Sequence, residues 1–358
     1  MTPAAPEGPV LFVLGSSAGG VVRHVGALAA RLHADGVDVR VAGPAGTLAR
    51  LQAPVPTTTV EIGASLDPVR DLRAAAALRR ALSRVPGVLV HAHGVRAGFV
   101  AALALGGTGR RVPLVVTLHN AVLGSGPRAR LGTAVLGVVC RRADVVLGVC
   151  GDLVAQAHRL GAAVADRALV PAPALPPGDP VRGREALGPG PVVLAVARLA
   201  PQKGLGTLLE AAAGTGARVV VAGDGPLRAE LADRIRGGGL PVRLLGRRDD
   251  VADLLAAADV ALSTSVWEGQ PVFVQEALRA GVPLVATDAG GTREVTGEAA
   301  VLLPVGDAAG LAAAVRRLVQ DRTEREVRAE RSRQRAAGLP TQEDAVAQVR
   351  RVHRAARG

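Results

Sequence analysis

The chain has 358 residues, 49% of them apolar, yet aromatics make up only 1%, with three Phe, one Trp and no Tyr. That length holds two ordinary domains with cores of Val, Leu and Ala, and two cysteines, Cys140 and Cys150, exclude a disulfide framework and point to a reducing cytoplasm. The formal net charge is +12, with +8 of it in residues 1–180; this suits an anionic membrane surface, nucleic acid or an acidic substrate, but without aromatics there is no stacking platform for single strands.

PVLFVLG (9–15) reads as a buried strand and GSSAGGVVRHV (15–25) as a glycine-rich turn entering a helix, followed by the strand VDVRVAG (37–43). The short apolar run has no basic region before it, so no signal peptide is read there. Glycines at such a turn let backbone amides approach a phosphate, although the spacing is not that of GxGxxG. DPVRDLRAAAALRRALSRVPG (67–87) is a basic helix with an alanine/leucine face. It reads as a surface helix packed on its sheet, with rest on anionic lipid, a peripheral membrane contact, as the alternative. VLVHAHG (88–94) places His91 and His93 on one strand face by period two. His119, ending VPLVVTLH (112–119), could join them as a third metal ligand, but polar contact with a sugar or acceptor is the preferred reading. DVVLGVC (144–150) closes this series of strands.

VPAPALPPGDP (170–180) interrupts the alternation with five prolines and reads as extended chain. Strands then return at PVVLAVAR (191–198), RVVVAGDG (218–225), VRLLGR (242–247), DVALSTS (259–265), VPLVAT (282–287) and AVLLPVG (300–306). Continuous apolar runs alternating with helices predict parallel sheets covered on both faces. The expected organisation is a Rossmann-like domain over 1–175, completed by a C-terminal helix at about 340–358, a Pro-rich linker over 176–188, and a second Rossmann-like domain over 189–338. Doubly wound α/β sheets bind ligands at the carboxyl ends of their strands, and two facing domains would leave a cleft there. No stretch approaches the roughly 20 apolar residues that span a bilayer.

Lys203, in ARLAPQKG (197–204), is the only lysine in the chain; the other basic residues are arginine. Arg198 ends a strand and Lys203 follows five residues on, beside a helix N-terminus where a cation is unfavourable unless an anion joins it. A guanidinium grips two phosphate oxygens while an ammonium is a compact point charge, so the pair suits a diphosphate. In WEGQPVFVQEALRAG (267–281), Glu268 precedes a loop, Pro271 suits a first helical turn, and Glu276 lies on a helix where sugar hydroxyls are natural partners. DAGGTREV (288–295) is one more glycine turn after a strand, with Glu294 close behind.

ARLAPQKG, the glutamates Glu268 and Glu276 with seven residues between them, GDGP (223–226) and DAGGTREV occur in an order that resembles the retaining glycosyltransferases of family 4, with the GT-B fold. The resemblance covers almost the whole chain and is looser in the first half, where GGVVRHV, HAHG and VVTLHN match. It implies an α/β GT-B fold of two doubly wound domains, a nucleotide-diphosphate-sugar donor (UDP, GDP or other), an acceptor hydroxyl on a lipid-linked or cell-envelope glycan or a small molecule, and no metal. Arg198 and Lys203 would hold the diphosphate, Glu276 the ribose hydroxyls, and Glu268 and His93 would approach the transferred sugar. Amides around Val272 and Phe273 and of Gly19 and Gly20 would meet diphosphate or sugar, and Gly246 and Arg247 the base. His119 and Asn120 are the acceptor-side candidates. The sequence departs from the pattern at Cys150 for serine, at Gln270 for an apolar residue, at Gln275 for leucine, and in lacking Asn-Gly after the linker proline. No D-x-D motif occurs. A GT-B epimerase or phosphorylase is the alternative within enzymes, and a basic nucleic-acid-binding protein is the remote one.

Overall fold

The computed structural model describes residues 8–358 except 18, 107–110, 123 and 125. The chain divides into two compact units, one formed by the described residues up to Val170 with Pro340–Gly358, the other by Pro171–Leu339. In the first, strands β1 (Val10–Leu14), β2 (Val39–Gly43), β3 (Thr57–Thr59), β4 (Leu89–His93), β5 (Leu114–Leu118), β6 (Val145–Gly148) and β7 (Ala165–Arg167) form a parallel sheet in the order β3-β2-β1-β4-β5-β6-β7. In the second, β8 (Val192–Val196), β9 (Arg218–Ala222), β10 (Val242–Gly246), β11 (Val260–Ser263), β12 (Leu284–Thr287) and β13 (Val301–Leu303) are parallel in the order β10-β9-β8-β11-β12-β13.

Both orders reverse direction once, between β1 and β4 in the first unit and between β8 and β11 in the second. Such switch points open a crevice at the carboxyl ends of the strands, where open α/β sheets take ligands. The central strands are buried on both faces. In the second sheet Val192 and Leu194 feed one core while Val193 and Ala195 feed the other, as period two requires.

β3 and β7 have no counterpart among the strands expected from the sequence. Both are short edge strands, and the threonines of β3 are all exposed, so neither needs the apolar run by which a strand is read. The segment expected as a Pro-rich linker over 176–188 contains a helix, Pro180–Leu187, that the sequence reading did not anticipate. Asp179 caps it by accepting from the amides of Val181 and Arg182, and Pro180 fits the first position, where no amide hydrogen is needed. After helix Arg322–Ala337 the chain breaks at Gly338-Leu339-Pro340, and the last helix, Gln342–Arg357, packs on the first unit. Arg350 pairs with Asp35 at 2.8 Å, Gln348 bridges Arg167 and Leu169, and Arg357 donates to the carbonyls of Gly8, Pro9 and Gly87.

Candidate functional site

In the second unit the loops leaving five neighbouring strands are laced along one edge. The Gly223 amide donates to Gly246 at 2.7 Å, Leu199 to Asp224 at 3.0 Å, Val266 to Gln202 at 2.9 Å, and Gly291 to Glu268 at 2.8 Å. Arg198 lies just past β8 at the switch point, exposed and without an ion pair among the described residues. Lys203 ends a single 3₁₀ turn, Pro201–Lys203, and Gly204 then opens helix Leu205–Ala212. Gly204 has φ 58°, and a Cβ there would run into the Thr264 carbonyl oxygen, so the turn holds the two loops closer than any other residue allows.

The Lys203 ammonium forms an ion pair with Glu268, whose carboxylate also accepts from Ser265 Oγ at 2.6 Å. Thr264 Oγ1 donates to the Lys203 carbonyl at 3.0 Å, and Gln202 donates to the Trp267 carbonyl at 3.0 Å. Glu268 is 7% exposed and Ser265 2%, whereas the Lys203 side chain keeps 27%. Glu268 therefore fixes the ammonium in place while leaving part of it open to a second anion. Lys203 and Glu268 border a small cavity with Pro271, Val272 and Phe273. Helix Val272–Arg279 starts there with no side-chain cap, so its first amides face outward without intrahelical acceptors. Cationic groups and free amides gathered at the carboxyl ends of the strands are the kind of setting that favours an anion.

Glu276 lies one turn into this helix and is 8% exposed, contrary to a solvated position. Its charge opposes the effect of burial, which lowers the pKa of Arg279. Gln275 is buried and accepts the Ala172 amide at 2.8 Å, while Arg279 donates to the Ala172 carbonyl at 2.6 Å. The departure at Gln275 thus ties the chain after Pro171 to the helix. Gln275→Leu leaves the Ala172 amide without this acceptor and should destabilise the second unit by about 1–3 kcal/mol, read as a lower denaturant midpoint. Gly246 has φ 75°, and Arg247 is 83% exposed in its side chain, pairing loosely with Asp249 at 3.7 Å.

In the first unit, β1 and β4 at the switch point lead to Gly19 and His93. Gly19, φ 69°, caps helix Gly20–Ala34 without a side-chain bond, and both glycines are exposed; Ala18 of the motif lies outside the described residues. His93 Nδ1 meets His119 Nε2 at 3.0 Å, and His91 Nδ1 meets His353 Nε2 at 3.0 Å while His91 Nε2 meets Thr117 Oγ1 at 2.8 Å. The His91 and His93 rings stack at 4.4 Å, and His24 abuts His93 and His119 edge-on. Burial holds all five imidazoles below their ordinary pKa: His24 at about 4, His119 and His353 at about 3, His91 and His93 well below. This geometry gives no support to the metal alternative for His91, His93 and His119. His93 Nδ1 and His119 Nε2 pair with each other, His91 pairs with His353 and Thr117, and no group of three or more ligating side chains is placed to hold a metal among the described residues. His93 Nε2 and His24 Nδ1 are buried without a hydrogen-bond partner among the described residues, and Asn120 is exposed on the next loop. His24 and Ser265 were not anticipated from sequence. His24 could have been found, four residues after Gly20 and therefore one turn along the same helix face.

Two family models match the chain in succession. "Glycosyl transferase 4-like domain" covers residues 19–173 and "Glycosyl transferases group 1" residues 190–321. The chain is 33% identical over 153 residues to the lipopolysaccharide core biosynthesis glycosyltransferase LpsE of Rhizobium meliloti, covering 41% of this chain and 45% of that protein. It is 36% identical over 119 residues to a GDP-mannose-dependent alpha-mannosyltransferase of Mycobacterium tuberculosis, covering 33% and 31%. The matched segments thus span less than half the length of these relatives. The fold is similar to that of Anabaena Alr3699/HepE, solved in complex with UDP and glucose, with a TM-score of 0.81 at 23% identity over 96% of this chain and 98% of that one. With both domain models matched in order on two doubly wound sheets, the chain belongs to the family 4 type of GT-B glycosyltransferases.

Proposed function

We propose that the chain is a retaining glycosyltransferase that moves a sugar from a nucleotide-diphosphate-sugar to an acceptor hydroxyl without a metal. The observation that carries this reading is the Lys203–Glu268 pair, set beside exposed Arg198 and an uncapped helix start at the switch point of the second sheet. As the bond between the sugar's anomeric carbon and the phosphate oxygen breaks, negative charge grows on the departing diphosphate. Lys203, Arg198 and the amides of Val272 and Phe273 are groups fixed in advance that stabilise such charge, and stabilisation of this kind usually contributes most to an enzyme's rate enhancement. They supply what a divalent ion would supply in a site built on paired aspartates.

In front-face attack the acceptor oxygen bonds to the anomeric carbon on the side the diphosphate leaves, and the hydroxyl proton passes to the departing phosphate oxygen. Configuration is then retained with no covalent enzyme intermediate. Glu276, an acceptor-only group, suits the ribose hydroxyls, and Gly246 and Arg247 the base. Within the first unit, Gly19, Gly20 and His93, whose Nε2 has no partner among the described residues, are the groups suited to diphosphate or sugar, and His119 and Asn120 those suited to the acceptor.

The relatives' names carry GDP-mannose and UDP, so the donor is best fixed by a thermal-shift panel of UDP-, GDP-, ADP- and TDP-sugars. One nucleotide class should raise Tm, by about 2.7 kcal/mol of stabilisation at a hundred times Kd. With that donor and an acceptor, free nucleoside diphosphate and a new glycoside should appear together. An epimerised donor with no glycoside, or no stabilisation by any of the four, would contradict the reading.

A further inference from the structure

Helix Pro68–Leu82 turns one flank toward the edge strand β3, and on that flank and the turn just beyond lie Arg73, Ala77, Arg80 and Arg84. Steps of four, three and four residues keep them on a single stripe. Arg73, Arg80 and Arg84 are exposed, and among the described residues their guanidinium groups make no ion pair or hydrogen bond. Arg80 and Arg84, four apart, repel one another with no carboxylate between them.

Two cavities flank Ala77. One of about 550 Å³ is bordered by Thr59, Arg70 and Arg73; the other, of about 230 Å³, by Arg40, Thr58, Arg80 and Arg84. Both are bordered by Ala77, so the two adjoin there, and together they are called the groove. Thr57–Thr59 are exposed at the end of the sheet, so alternate backbone groups of β3 have no ladder partner on that side. The remaining charges are largely engaged: Arg40 with Asp38 at 3.2 Å, Arg70 with Asp67 at 3.4 Å, and Glu61, the one carboxylate lining the groove, with the Ala45 amide at 3.0 Å.

We propose that this groove binds the phosphate groups of an extended, phosphorylated soluble ligand. The guanidinium forks of Arg73, Arg80 and Arg84 take the phosphates, and the threonine hydroxyls and free strand edge take hydroxyl groups between them. A flat bilayer fits the groove less well. Leu72, 63% exposed, would have to enter it and lies about a quarter turn off the arginine stripe, while Val69, 58% exposed and four residues before Arg73, leaves a single large apolar side chain on the stripe itself. The groove uses neither Arg198 nor Lys203.

The test is calorimetric titration of inorganic tripolyphosphate at about 50 mM salt, where exposed charges are least screened. Lys203→Ala serves as the background, so that binding at the donor site does not intrude. Binding is expected in that background, weakening at least tenfold in the triple variant Arg73→Gln/Arg80→Gln/Arg84→Gln, and likewise in Ala77→Glu. The triple variant alters only exposed side chains, so its melting curve should match the parent even if that of Ala77→Glu does not. The parallel arm uses phosphatidylglycerol vesicles at equal phosphate. No tripolyphosphate binding, binding indifferent to the triple variant, or arginine-dependent binding of vesicles alone would each overturn the proposal, the last assigning the stripe to a membrane surface.

Discussion

Replacing Lys203 with Ala is expected to lower the rate of sugar transfer about 10²- to 10³-fold, the usual cost of losing one group that meets charge developing in the transition state. The loss should fall on kcat and kcat/KM together, because the interaction strengthens as the diphosphate departs. Lys203→Arg should also be poor. The ammonium sits between the Glu268 carboxylate and a small cavity, a space shaped for a compact head rather than a planar fork. The ion pair brings a complication of its own. Without Lys203, the buried Glu268 carboxylate keeps only the Ser265 hydroxyl among its described partners, and breaking a buried pair costs up to about 3–5 kcal/mol. The partial exposure of Lys203 puts the real cost below that range. The double variant Lys203→Gln/Glu268→Gln keeps a neutral hydrogen-bonding pair and separates lost activity from lost stability. If it folds and still transfers sugar at the parent rate, the ammonium has no role in the chemistry.

The second large effect is on stability in acid. His24, His91, His93 and His353 are all at most 8% exposed, and their folded pKa values lie below the unfolded value of about 6.5. The unfolded chain therefore binds more protons than the native one at acid pH. The stability these imidazoles contribute is complete above pH 6.5 and is lost as pH falls from there toward about 4. Each accounts for at most about 1.4 kcal/mol per pH unit in that window, so the four together contribute at most roughly 5 kcal/mol per unit. All seven histidines lie in the first unit and none in Pro171–Leu339. Urea unfolding at pH 7.5 and 5.5 should show the first unit's transition moving sharply to lower denaturant while the second's stays nearly still. A shift shared equally by both transitions would contradict this assignment. The last helix should be among the first elements released, since His353 docks it on His91.

The sequence showed the two sheets well because their central strands are unbroken apolar runs, as in PVVLAVAR around β8. It showed β3 and β7 poorly because an edge strand can be polar and three residues long. Prolines led 176–188 to be read as a linker with no helix in it, although Pro180 stands at the one helical position that favours it. Within the site, Arg198 and Lys203 were legible through spacing and through the rarity of lysine. Their setting was not, because Lys203 and Glu268 are 65 residues apart and no local pattern couples a lysine to a carboxylate on another loop. The same holds for His353, 262 residues from His91. Gln275 was visible as an oddity, and only its bond to the Ala172 amide gives the oddity a physical reason.

The most direct measurement is calorimetric titration of the nucleoside diphosphate selected by the thermal-shift panel into the parent chain and into Arg198→Ala and Lys203→Arg. If these two cations grip the diphosphate, each variant should bind at least tenfold more weakly, a loss of about 1.4 kcal/mol, while the bare nucleoside binds all three chains alike. Binding of the diphosphate to Lys203→Arg with parental affinity, together with full transfer activity, would mean that the lone lysine is an accident of composition and that the diphosphate is held elsewhere.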